Sequence, residues 1–247
     1  MNAAPHQTLG EIWVYLAASP LLGLTLTLLA YQGAVWVNRR CGGHPLANPV
    51  LIAVVALVAS LTATGTRYQT YFDGAQFVHF LLGPATVALA IPLYAQVDRL
   101  KRMAGPLLVA LLAGSLTAAL SAVLVGKLLG ASDATLLSLA PKSVTTPIAM
   151  GIAERLGGLP SLTAVLVILT GILGAVGAQA VYAAMKCRDP AVRGFALGVA
   201  SHGIGTARAF QIDEQTGAFS ALAMGLNGLL TAALLPLLLP PLLRWLG

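Results

Sequence analysis

The stretch from Leu136 to Glu154, LLSLAPKSVTTPIAMGIAE, is as long as a membrane-spanning helix but does not read like one. Pro141 and Pro147 sit six residues apart, with Lys142, Ser143, Thr145 and Thr146 between them. A proline has no N–H to give and crowds the turn before it, so a continuous helix is disfavoured. A lysine at bilayer depth costs roughly 2.5–3.5 kcal/mol on insertion scales. Irregular backbone in a membrane is tolerated only where protein or a water-lined cavity covers it. The pattern predicts two half-helices meeting at a polar break.

The flanking sequence sets the class. Of 247 residues, 57% are hydrophobic and 9% are charged, far below the quarter or so of soluble domains. The apolar runs are about twenty residues long, the length of helical spans rather than of barrel strands. The chain is therefore expected to be an all-α integral membrane protein, a single polytopic domain over residues 1–247 in the lipid bilayer. About six transmembrane helices are expected, near 12–37, 49–66, 75–94, 106–128, 160–185 and 216–243. Two broken or re-entrant segments, 134–155 and 194–212, complete it, and residues 1–11 read as a short exterior tail. The net charge of +6 comes from short loops such as Asp98–Arg102 and Lys186–Arg193, so it is no nucleic-acid footprint. Cys41 and Cys187 fall in loops expected inside, as free thiols.

Topology turns on the segment 134–155. A full crossing puts the basic loop 186–193 outside; a segment that enters and returns on the outer side keeps it inside with 98–102. The positive-inside rule favours the re-entrant form and an exterior N-terminus. The second odd segment, 194–212, has glycines at 198, 203 and 205 and carries His202 and Arg208 in apolar surroundings. Leu139–Thr146 can be laid over Val199–Thr206, sixty positions on, pairing Lys142 with His202, Thr146 with Thr206 and Glu154 with Glu214. Such a match raises an inverted repeat, the plan of many secondary transporters.

Lys142, Ser143, Thr145, Thr146, Ser201, His202, Thr206 and Arg208 are the candidate substrate-binding residues, since half-helix ends, hydroxyls and cations suit a small anion. Glu154, Asp213 and Glu214 are candidates for coupling, against the plainer reading of solvated or capping acids. Asn227 and Gln179 read as inter-helix hydrogen-bonding residues, and Gly114, Gly171, Gly174 and Gly177 as positions of close helix packing. The sequence has no nucleophile–base–acid set, metal-ligand cluster or phosphate loop, so neither enzyme chemistry nor a cofactor or metal is expected.

SLAPKSVTTPIAMGI (138–152), GGLPSLTA (157–164), ASHGIGTAR (200–208), GAFSALAMGLNG (217–228) and FVHFLLGPATVALAIPLY (77–94) resemble the LrgB/CidB family, and the likeness runs from about Pro45 to Leu239. That family carries two descriptions. One is an antiholin-like regulator of murein hydrolase activity and cell lysis. The other is movement of small monocarboxylates, of the glycolate, glycerate, lactate or pyruvate type. The resemblance implies a bacterial inner (plasma) membrane location and a separate LrgA/CidA-like membrane partner. A homo-oligomer is the expectation for transporters of this kind. Transport is the reading that the two polar breaks favour.

Overall fold

The computed structural model describes residues 20–44 and 47–246; the expected exterior tail and the first turns of the first span lie outside them. The described residues fold into helices joined by short turns and form two compact units, one ending at Ala88 and the other starting at Leu89. Four of the helices are long and apolar enough to cross a membrane, which makes this an all-α membrane protein.

The first unit holds α1 (Pro20–Arg40), α2 (Pro49–Thr64), α3 (Tyr68–Phe80) and α4 (Leu82–Ala88). Asn48 caps α2, its side chain accepting from the Val50 and Leu51 N–H groups, and Pro49 follows where a missing N–H costs nothing. α1 packs on α2 and α3, and the Thr27 and Tyr71 hydroxyls bond at 2.7 Å. The span expected at 75–94 is not one helix, and residues 68–74, expected as a loop, are helical. The chain breaks at Leu81 and Leu89, immediately after Phe80 and Ala88. Each of those two residues stands four before a proline, Pro84 and Pro92, so its carbonyl has no N–H to receive.

The second unit holds α5 (Ala90–Tyr94), α6 (Val97–Leu128), α7 (Asp133–Leu139), α8 (Thr146–Leu156), α9 (Pro160–Ala184), α10 (Pro190–Ile212) and α11 (Glu214–Leu246). α6 begins nine residues before the expected span, so the basic stretch 98–102 is its first turns, with Asp98 at the end where negative charge is favoured. α11 continues through Pro236, Pro240 and Pro241, which do not end it. Its Leu235 and Leu239 are buried with Ala119, Val123, Ala140 and Ile152, and that packing outweighs the lost backbone bonds.

α10 is a helix in name only. Ser201 (φ −131°, ψ 15°) and His202 (φ 42°, ψ −136°) leave helical geometry and turn the chain back. A methyl on Gly205 would lie 2.9 Å from the Leu197 carbonyl, and Leu197 shares a buried cluster with Ala209. In a straight helix, residues eight and twelve apart stand about 12 and 18 Å apart. The first limb runs along α11, with Gly194 against Thr216 and Gly198 against Ser220; the second returns antiparallel, with Phe210 against Gly217. Residues 190–212 therefore form a hairpin.

Residues 133–156 form the other. Ser132 caps α7 through the Thr135 N–H, and the chain turns between Ala140 and Thr145. α8 then comes back, so that the Leu159 N–H donates to Ser138 Oγ at 2.7 Å and Thr163 Oγ1 to the Ser138 carbonyl at 3.1 Å. The hairpins have their bases at opposite ends. α9 starts beside the base of the first, at Leu159, and finishes beside the second, where the Tyr182 hydroxyl donates to the Arg193 carbonyl. α11 runs the other way, from Thr216 beside Gly194 to Leu242 and Leu243, which pack on the same buried cluster as Leu156. The Arg99–Asp189 ion pair, at 2.7 Å, ties the two basic stretches together at one end.

Candidate functional site

The tips of the hairpins meet in the middle of the second unit. Each tip leaves backbone carbonyls that the sequence itself orphans. Ser143 would give its carbonyl to residue 147, which is a proline. Val199 would give its carbonyl to Gly203, which the turn at Ser201–His202 carries away. One side chain serves both. Asn227, 1% exposed on α11, donates from Nδ2 to Val199 O at 3.0 Å and to Ser143 O at 3.3 Å. Its Oδ1 accepts from Thr231 Oγ1 at 3.4 Å, and Thr231 bonds Ser115 of α6 at 3.2 Å. A buried polar group is costly unless bonded, and these bonds link five residues, with both ends of the Asn227 amide engaged.

The second tip is held by α9. His202 Nε2 lies 2.9 Å from the Val167 carbonyl. A carbonyl only accepts, so Nε2 carries the hydrogen. The ring reaches that carbonyl because Gly171 has no side chain; a methyl there would stand 2.7 Å from His202 Cε1. Gly174 does the same for Ser201, whose Oγ occupies the place a methyl would take. Val167 also packs on Val144 and Ala149 of the first hairpin, so α9 touches both tips.

The predicted site residues divide. Lys142 is half-buried at the first tip, its Nζ 3.4 Å from Ser143 Oγ. Among the described residues it makes no ion pair with a carboxylate. Thr145 caps α8 by position but not with its hydroxyl, and Pro147 follows, so the Thr146 and Ile148 N–H groups have no intrahelical acceptor. Ser201 is fully buried and its Oγ has no partner. Thr206 is engaged, bonding the His202 carbonyl and Ser220 Oγ. Arg208 stands six residues down the returning limb, away from the junction; Nη1 donates to Gln211 at 3.0 Å and Nε is buried without a partner.

The three acids are not at the tips. Glu154 and Glu214 are exposed, and Asp213 caps α11, accepting from the Thr216 N–H at 2.8 Å and from the Thr216 hydroxyl. Of the four glycines read as packing positions, Gly114, Gly171 and Gly174 do lie against side chains, while Gly177 faces open space. Asn227 does hydrogen-bond between elements, as read from the sequence, but its place at both tips was not foreseen, and Ser115 and Thr231 were passed over. The signal was there: Asn227 is a lone amide in an uncharged run, and Pro147 guarantees Ser143 a free carbonyl.

Ser115, Ser143, Asn227 and Thr231 supply the polar wall of a small cavity at the first tip, closed by Ala140, Pro141 and Val144. The space open to a water's centre is about 10 Å³, room for about one water and too little for an organic acid. The junction is thus closed in this conformation.

Comparison with known proteins follows the same segments. Residues 27–240 match the model of the LrgB-like family. A Bacillus subtilis (strain 168) protein named "Uncharacterized protein YwbG" is 37% identical over 219 residues, covering 89% of this chain and 97% of the relative. "Antiholin-like protein LrgB" of Bacillus cereus (strain B4264) is 30% identical over 222 residues, covering 90% and 96%. The protein of that name from Bacillus anthracis (strain CDC 684 / NRRL 3495) matches equally. No solved structure matches. The motifs that build the two hairpin tips lie inside the matched residues, and the chain belongs to the LrgB-like family.

Proposed function

We propose that this protein carries small monocarboxylates of the glycolate, glycerate, lactate or pyruvate type across a bacterial inner membrane, working with an LrgA/CidA-like membrane partner. One observation carries the reading. Two hairpins enter from opposite ends of the bundle and meet beside Lys142, which makes no ion pair among the described residues. The Lys142 ammonium, the Ser143 hydroxyl and the free N–H groups at the start of α8 are what a carboxylate needs. The unpartnered Ser201 hydroxyl supplies a further polar group at the second tip. Because the cavity is closed, a substrate enters only when a tip moves.

Uptake of labelled acids into proteoliposomes tests this, with the chain alone and with the partner. Saturable uptake is expected. Lys142→Ala should weaken apparent affinity roughly 10- to 100-fold, the worth of one charge-assisted hydrogen bond, and Lys142→Arg should retain part of it. Unchanged uptake by Lys142→Ala would remove the site from the first tip. That relatives are named antiholin-like favours a second reading, which we take as a regulator of murein hydrolase export and cell lysis without transport of its own. Folded, inserted protein that takes up none of the acids, with or without the partner, would make that the better reading.

A further inference from the structure

The register of sixty residues between the two tips extends past them into the helices that follow. Thr163 of α9 bonds the Ser138 carbonyl in the first hairpin. Sixty residues on, Ala223 of α11 lies against Gly198 in the second, close enough that a methyl on Gly198 would be 2.8 Å from Ala223 Cβ. These contacts lie within each copy. The contacts between copies match as well. The second tip, His202, is held by Val167 of the first copy's helix; the first tip, Ser143, is held by Asn227 of the second copy's helix. Val167 and Asn227 are sixty apart, and Ser143 falls one residue from the counterpart of His202. Ile204 lies against Gly171, and their counterparts Val144 and Thr231 line the same cavity. The register does not reach the ends, where Glu154 closes α8 but Glu214 opens α11.

We infer that each tip is latched by the helix of the opposite copy, and that the Asn227–Ser143 and His202–Val167 bonds are the positioning contacts of two gates that open one at a time, toward opposite faces. The purpose of the gates rests on the transport reading. The antiparallel course of α9 and α11 gives the opposite facing: each hairpin is rooted at its own end of the bundle. Loss of Asn227 also frees the Val199 carbonyl, yet the second tip keeps two other ties, His202 to Val167 and Thr206 to Ser220. Removing one latch therefore loosens one tip.

The test is thiol labelling of the full chain in oriented vesicles, with Cys41→Ser and Cys187→Ser, and with Ser143→Cys or Gly203→Cys as reporters of the two tips. It needs no substrate, so it can fail while uptake succeeds, and the reverse. With both latches present, both reporters should react slowly with a membrane-impermeant reagent. Asn227→Ala should speed labelling of Ser143→Cys from one face only, by roughly five- to tenfold, the shift in an opening equilibrium that one lost hydrogen bond produces. His202→Ala should do the same for Gly203→Cys from the other face. Asn227→Leu fills a similar volume with no donor, and should match Asn227→Ala; it serves if the alanine variant does not purify as a folded species. Both reporters opening to the same face, both opening in one variant, or no change in folded variants would overturn the proposal.

Discussion

At the scale of single residues, the junction depends on what is missing as much as on what is present. Gly174 leaves the space that Ser201 Oγ fills, so Gly174→Ala must push the second tip off its seat. The expected loss is about 1–3 kcal/mol, the range for overpacking a filled interior. Gly177→Ala, one turn along the same helix and facing open space, should leave stability unchanged or raise it by up to about 1 kcal/mol. Thermal unfolding of the two variants in detergent makes the comparison. The sequence displays both glycines alike, because close packing depends on what arrives from the facing element. Lys142 and His202, by contrast, stand out in sequence as polar groups in apolar runs, and both are at the junction. Arg208 stands out just as clearly and is elsewhere, because a limb that turns back moves a residue away from the tip with every step.

At the scale of elements, the two breaks were readable from proline and glycine, since those residues act on the backbone directly. The boundaries of α3 and α6 were not, because polar and aromatic residues at a helix end look the same as a loop. Asp213 illustrates how an acid can mislead. It opens α11 as a cap, bonding the N–H and the hydroxyl of Thr216. Asp213→Ala should therefore cost about 1 kcal/mol of stability, the usual worth of a cap. Asp213→Asn, which keeps an oxygen to accept from the Thr216 N–H, should lose much less. If Asp213 only caps, the pH profile of uptake should be the same for both variants and the parent. A profile displaced by Asp213→Asn would return this residue to the list of coupling groups.

At the scale of the whole second unit, the charged ends give a test of sidedness. Arg99 and Asp189 bond at one end, so Lys101 and Cys187 share that end, while Lys127 and Arg155 belong to the other. Single cysteines at 101 and 187 should label from the same face of a vesicle, the cytoplasmic one. Single cysteines at 127 and 155 should label from the opposite face. Labelling of 101 and 187 from different faces would mean that residues 133–156 cross the membrane instead of returning. The antiparallel relation of α9 and α11 has one more consequence. A door and its copy, given a half turn and hung on the opposite wall, open toward opposite rooms. On the transport reading, such a passage faces each room in turn, and the crowd on each side decides which way the traffic runs.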